Sequence, residues 1–271
     1  VAVRQQGLDD PMPIVDPFEG NRPLDQNQLE AFAKQVLGSL DSKSQNPMSM
    51  TLDAVTDWLF AAVMAAGGFS QTSTMAFLQK TGLSSSEIID ICIPEAARRA
   101  GQMWVDDDAS FATVTLASSR LYALCKSMSE SWDMRPRRTG QPTVLVAIAP
   151  GEQHMIGSVV MTSQLRRMGC SVQLLAGPTQ NEVLSCIRGG SFDAVLISCA
   201  GSQALDNAVH LITRIRADID QPPRLVLGGA IENQVQVTTA GTGADLVTSS
   251  FEVALAGLAQ TKDRGGSLAA Q

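Results

Sequence analysis

From residue 143 to about residue 260 the chain alternates short, almost wholly apolar runs with longer segments of helical periodicity. No other feature restricts the fold as tightly. The runs 144–148, 171–175, 194–198, 224–227 and 245–248 are too short for buried helices and read as strands. Between and after them, 156–168, 179–188, 204–217, 232–241 and 251–260 space their apolar residues three and four apart, as helices do. Strands without a polar face need cover on both sides, which predicts a parallel sheet between two helical layers. Right-handed crossovers through five such strands give the doubly wound, flavodoxin-like order 2-1-3-4-5.

Upstream the pattern is purely helical. Residues 1–22 carry Pro11, Pro13 and Pro17 without periodicity and read as an irregular arm. Leu29, Phe32, Val36, Leu37 and Leu40 mark a helical stripe over 25–40. A second helix over 51–66 stops at Gly67-Gly68, and a third over 72–81 stops at Gly82. Ser84 and Glu87 have capping-box spacing and launch a helix to Trp104, in which Pro94 should impose a kink or a division. Asp106, Asp107 and Asp108 cap or precede a last helix over 110–132; a solvated turn explains them better than a metal site. Residues 23–134 therefore form a bundle of four or five helices. The stretch 135–142, with Pro136 and Pro142, is the linker to the α/β unit at 143–262, and 263–271 is a flexible tail.

Charge and composition exclude several roles. The 271 residues are 44% hydrophobic and carry a net charge of −7. No basic cluster exceeds Arg135, Arg137 and Arg138, so direct nucleic-acid binding is disfavoured. No apolar run reaches the ~18–20 residues of a membrane span, and the first residues lack the apolar core of a secretory signal. Five cysteines without a Cys-x-x-Cys pair suit a reduced cytoplasm, with Cys92, Cys170 and Cys199 as buried hydrophobes.

The chain has two histidines, His154 and His210. His154 sits where the first strand hands over to a helix, at the sheet edge where α/β proteins bind ligands. Glu152, two residues earlier, can fix which ring nitrogen carries the proton and leave the other for a metal. Gly157 removes a side chain at the helix start, where a large group could approach. Ser198 ends the third strand, and Gly228 and Gly229 end the fourth. The strand order brings all of these to one edge.

Glu152-x-His154-x-x-Gly157, then Ser198, then Gly228-Gly229 resembles the cobalamin-binding domain of methionine synthase, corrinoid methyltransferases and CarH-type light-responsive repressors. That family has aspartate where Glu152 stands and leucine where Ala200 stands. The resemblance implies His154 as lower axial ligand of cobalt, oriented by Glu152. It further implies Ser198 bonding the detached nucleotide tail, and Gly228 and Gly229 making room for it. Pro94, Ala96, Gly101 and Trp104 resemble the helical cap of the same proteins, with Trp104 near the upper ligand. CarH-type sensors carry Glu-His beyond that tryptophan after nine intervening residues; here the positions are Val114-Thr115. The upper face thus suits hydroxocobalamin better than adenosylcobalamin.

Nothing resembles the DNA-binding module of CarH. A bundle plus this domain, acidic and cytoplasmic, most closely resembles the AerR/PpaA antirepressors of purple photosynthetic bacteria. Those are regulators rather than enzymes and act through a PpsR/CrtJ-type repressor of photosystem genes in response to light and oxygen. A corrinoid methyl carrier serving two methyltransferases is the alternative on the same residues, and haem on His154 is a third. Plainer roles stand beside these. His210, inside a helix, reads as a structural or surface residue. Trp104 is equally well explained as bundle core, Ser198 as a turn former, and the glycine pair as an ordinary strand end.

Overall fold

The computed structural model describes residues 49–133, 140–150, 152, 154–229, 237–250, 253, 254 and 256. The arm, the 25–40 helix, most of the linker, most of the last predicted helix and the tail lie outside the described residues.

The bundle half begins with α1 (Leu52–Met64), capped by the Thr51 hydroxyl accepting from the Ala54 amide. Its last turn is closed from a distance: the Arg120 guanidinium donates to the carbonyls of Val63 and Ala65 and lies over the Phe69 ring. These are the carbonyls that a helix end leaves without partners. The third helix of the sequence reading is α2 (Gln71–Leu78), shorter than predicted because the chain turns at Thr81, whose hydroxyl donates to the Leu78 carbonyl.

The capping box forms as expected, with Ser84 and Glu87 exchanging both bonds at the start of α3 (Ser85–Glu87). A π-helical turn, Ile88–Cys92, follows, then α4 (Ile93–Val105) with Pro94 in its first turn. The proline ring would clash with the carbonyl four residues back and offers no amide hydrogen. Widening that turn so that the Ile93 amide donates to the Ile88 carbonyl accommodates it. The expected division of this helix is therefore a π-turn.

Asp106, Asp107 and Asp108 occupy the exposed turn after α4, where Asp107 takes a left-handed conformation (φ 63°). The cap of the next helix, α5 (Phe111–Asp133), is Ser110, whose hydroxyl accepts from the Thr113 amide.

The other half is the predicted sheet. Strands β1 (Thr143–Ile148), β2 (Ser171–Leu175), β3 (Ala194–Ser198), β4 (Arg224–Gly228) and β5 (Leu246–Val247) run parallel in the order β2-β1-β3-β4-β5. Helices α6 (Ile156–Arg167), α7 (Gln180–Gly189), α8 (Ser202–Asp218) and the short α9 (Thr239–Thr242) connect them. Alternation along the strands sorts the core. Leu145, Ala147, Val195, Ile197, Leu225 and Leu227 pack with α7 and α8, whereas Val144, Val146, Ala194, Leu196 and Val226 pack with Leu165 of α6.

α6 is buried from two sides. Its Val159 and Val160 belong to the bundle core with Leu121, Leu124 and Trp132. Polar contacts seal the same interface. Ser129 and Ser163 share a 2.6 Å hydrogen bond, and Arg167 pairs with Asp90 at 2.5 Å while lying over the Trp132 ring. The helix that leaves the His154 loop is thus the helix on which the bundle rests. Among the described residues no helix is long and apolar enough to cross a membrane.

Candidate functional site

The site is built on three strand ends. Ile148, Ser198 and Gly228 are register partners across β1, β3 and β4. The ladder runs one step further, the Ala149 amide donating to the Ser198 carbonyl and the Cys199 amide to the Gly228 carbonyl. Beyond Ala149 the chain turns, closed by the Glu152 amide donating to the Ala149 carbonyl at 2.9 Å.

This turn aims two side chains in opposite directions. The Glu152 side chain is 3% exposed and the His154 ring 77% exposed. Glu152 Oε1 accepts from the His154 amide at 2.7 Å and lies 2.6 Å from the ring Nδ1. Oε2 accepts from the Ala200 amide at 2.5 Å. Burial pushes the Glu152 carboxyl up, but the His154 amide and ring and the Ala200 amide outweigh it and hold the carboxyl below its usual range. A carboxylate accepts only, so Nδ1 carries a proton, and in the neutral ring Nε2 is left with the lone pair on an outward-facing imidazole. This is the geometry of a metal-ligating histidine oriented by an acid behind it.

Gly157 lies in the first turn of α6, and a Cβ there would meet nothing within 4 Å. The space beside His154 is therefore open at this residue. Ser198 is buried at the end of β3 (8% exposed). The glycine pair has a reason internal to the fold. A Cβ on Gly229 (φ 116°) would fall 2.0 Å from the Cys199 carbonyl oxygen, and one on Gly228 would lie 3.0 Å from that of Thr248. At 229 only glycine lets the chain leave β4 so close to the end of β3.

Trp104 lies near the end of α4. It is 51% exposed, with the 58% exposed Phe111 edge-on at 6.1 Å. It is not bundle core, which removes the plainer of its two expected roles. His210 is an exposed residue of α8, where with Asp206 and Thr238 it borders a groove of about 320 Å³ between α8 and α9. That groove is lined by none of the sequence-predicted site residues.

Two groups escaped the sequence reading. Ala200 contributes through its backbone, and a backbone donor leaves no mark in residue identity. Asn207 of α8 donates from Nδ2 to the Pro150 carbonyl at 2.6 Å, gripping the turn that carries Glu152. An asparagine inside a helix is mildly unfavourable, and that was the available signal. Among the described residues no three His, Cys, Asp or Glu side chains gather as a metal cage. A metal here would have to bring most of its own ligands.

No family model matches the chain. A Rhodobacter capsulatus protein described as an uncharacterized 20.5 kDa protein in the bchF-crtJ intergenic region is 34% identical over 165 residues, 60% of this chain and 85% of that one. Among solved structures, the Methanosarcina barkeri monomethylamine corrinoid protein is similar with a TM-score of 0.61 at 14% identity, over 78% of this chain and 99% of that one. At that identity the likeness is one of fold.

Proposed function

From the premise that this chain belongs to the family of the bchF-crtJ intergenic-region protein of Rhodobacter capsulatus, we propose that it is a corrinoid-binding, non-enzymatic antirepressor acting on a PpsR/CrtJ-type repressor. One observation carries the corrinoid part: an outward imidazole whose Nδ1 is held by a buried, ionised Glu152. The residues fit such a group. His154 would hold it by one imidazole nitrogen, and a metal that arrives in its own macrocycle would need no protein cage. Gly157 leaves the approach clear, and the exposed Trp104 and Phe111 offer aromatic faces that a flat macrocycle would cover.

A bound corrinoid would supply a light-absorbing cobalt centre whose ligands change with illumination and oxidation. The chain's own part is to hold His154 in one tautomer and to rest the bundle on the helix that follows the histidine. Val114 is half-buried against the bundle core and Thr115 is exposed. Neither offers a strong cobalt ligand, in keeping with hydroxocobalamin rather than adenosylcobalamin. The regulatory part is supported by the relative's position beside crtJ. The net charge of −7 also favours acting through a protein over contacting DNA directly.

The test is reconstitution with hydroxocobalamin and, separately, with haem, read by visible spectra. It is followed by binding to a CrtJ-type repressor in light and dark. Cobalamin uptake that is lost in His154→Ala, together with light-dependent repressor binding, is the expected result. A spectrum unchanged in His154→Ala removes the ligand, uptake of haem alone changes the cofactor, and methyl transfer from a donor enzyme makes the chain a carrier instead.

A further inference from the structure

The geometry points to Asn207 as the residue that positions the His154 imidazole, an inference that rests on the ligand role proposed above but is testable without the cofactor. The Glu152–His154 turn leaves the sheet after Ala149 and is held there from two directions. Behind it, the Ala200 amide fixes the far oxygen of Glu152. Beneath it, Asn207 Nδ2 donates to the Pro150 carbonyl at 2.6 Å. A carbonyl can only accept, so the amide group must present its nitrogen here, and the orientation is settled by chemistry.

Pro150 is the right place for such an anchor. Its ring fixes φ and leaves it no amide hydrogen, so its carbonyl is the one backbone group it can offer to a hydrogen bond. The neighbouring carbonyl of Ala149 is already taken by the Glu152 amide. Among the described residues, the Asn207 bond to Pro150 and the Ala200 bond to the Glu152 carboxylate tie the turn to the body of the protein. That carboxylate has to hold the imidazole as well. Asn207 thus separates the two tasks: it fixes the turn, and Glu152 fixes the ring. The anchor lies on α8, which begins two residues after Ala200, so one restraint comes from the β3–α8 connection and the other from the helix that follows it. Outer partners of this kind shape a ligand's tautomer and direction without touching the ligated atom.

The experiment uses the full chain and two variants, Asn207→Leu, which has similar bulk and no donor, and Asn207→Asp, which replaces the donor by an acceptor. In the corrinoid-free protein, long-range ¹⁵N–¹H correlation spectra read the imidazole tautomer. With two histidines in the chain, loss of one ring system in His154→Ala assigns it. The wild type should show His154 as the single Nδ1–H form, and both variants a mixture of tautomers with unchanged circular dichroism. A change in global stability alone does not move that ratio.

With hydroxocobalamin, both variants should bind about tenfold more weakly. After reduction to Co(II), the nitrogen hyperfine splitting of the axial imidazole should be lost from part of the population. A tautomer ratio unchanged in either folded variant, or a wild type that is already mixed, overturns the inference. A shifted tautomer with no corrinoid binding by the wild type upholds the positioning role and sinks the proposed cofactor.

Discussion

The sheet edge and the tip of the bundle present opposite kinds of surface. At the sheet edge one exposed group, His154, is held by a buried acid, which is itself held by a backbone amide. At the tip, Trp104, Val105 and Phe111 are all more than half exposed, and the tryptophan's ring contact is the neighbouring Phe111. The first arrangement gives direction, because each hydrogen bond removes a degree of freedom. The second gives contact area without direction, because dispersion and apolar burial are tolerant of angle. A ligand of the sheet edge would be oriented there, whereas one covering the bundle tip would gain burial without direction.

The largest expected effect strikes the scaffold of the directional side. Gly229→Ala forces a Cβ onto the Cys199 carbonyl at a positive φ, and should lower stability by more than about 3 kcal/mol in chemical denaturation. A Tm within a few degrees of wild type would mean that the β4 end can move. Glu152→Gln comes next. The amide keeps the shape but removes the charge that fixes the Nδ1 proton, so corrinoid affinity should fall ~10–100-fold by titration. An equal loss in Trp104→Ala would erase the contrast between the two surfaces.

Trp104→Ala itself should cost about 1 kcal/mol of stability, since the ring is half exposed and pairs edge-on with one aromatic neighbour. Its effect on the corrinoid spectrum should be small beside that of His154→Ala. The smallest effect belongs to the bundle's surface charges. Hydrogen bonds from Arg98 and Arg99 hold the Glu95 carboxyl at about 2. A depressed acid contributes stability that is present above its unfolded value near 4.5 and lost as pH falls toward 2. The pair is partly solvated, so Glu95→Gln should cost less than about 1 kcal/mol at neutral pH and nothing near pH 2. Denaturation midpoints measured at both pH values check this.

Much of the α/β half was legible. Strands β1 to β4 fall within a residue of the predicted runs, because parallel strands buried on both faces leave few polar residues to blur their limits. β5 is shorter than predicted, at an edge with one neighbour. In the bundle, the capping box at Ser84 and the disturbance at Pro94 could be read, but its form as a π-turn could not. The acids at 106–108 drew attention away from Ser110, which caps α5.

Residue identity and spacing by themselves determined the sheet, its strand order, and the meeting of Glu152, His154, Ser198 and the glycine pair at one edge. Those follow from period and handedness, which are local properties repeated along the chain. Tertiary structure alone decided that α6 is shared between sheet and bundle, that Trp104 is exposed, and that Ala200 and Asn207 hold the histidine turn. Such contacts join residues about fifty apart through backbone atoms and single side chains, and a pattern of residue types carries no record of which distant carbonyl an amide will reach.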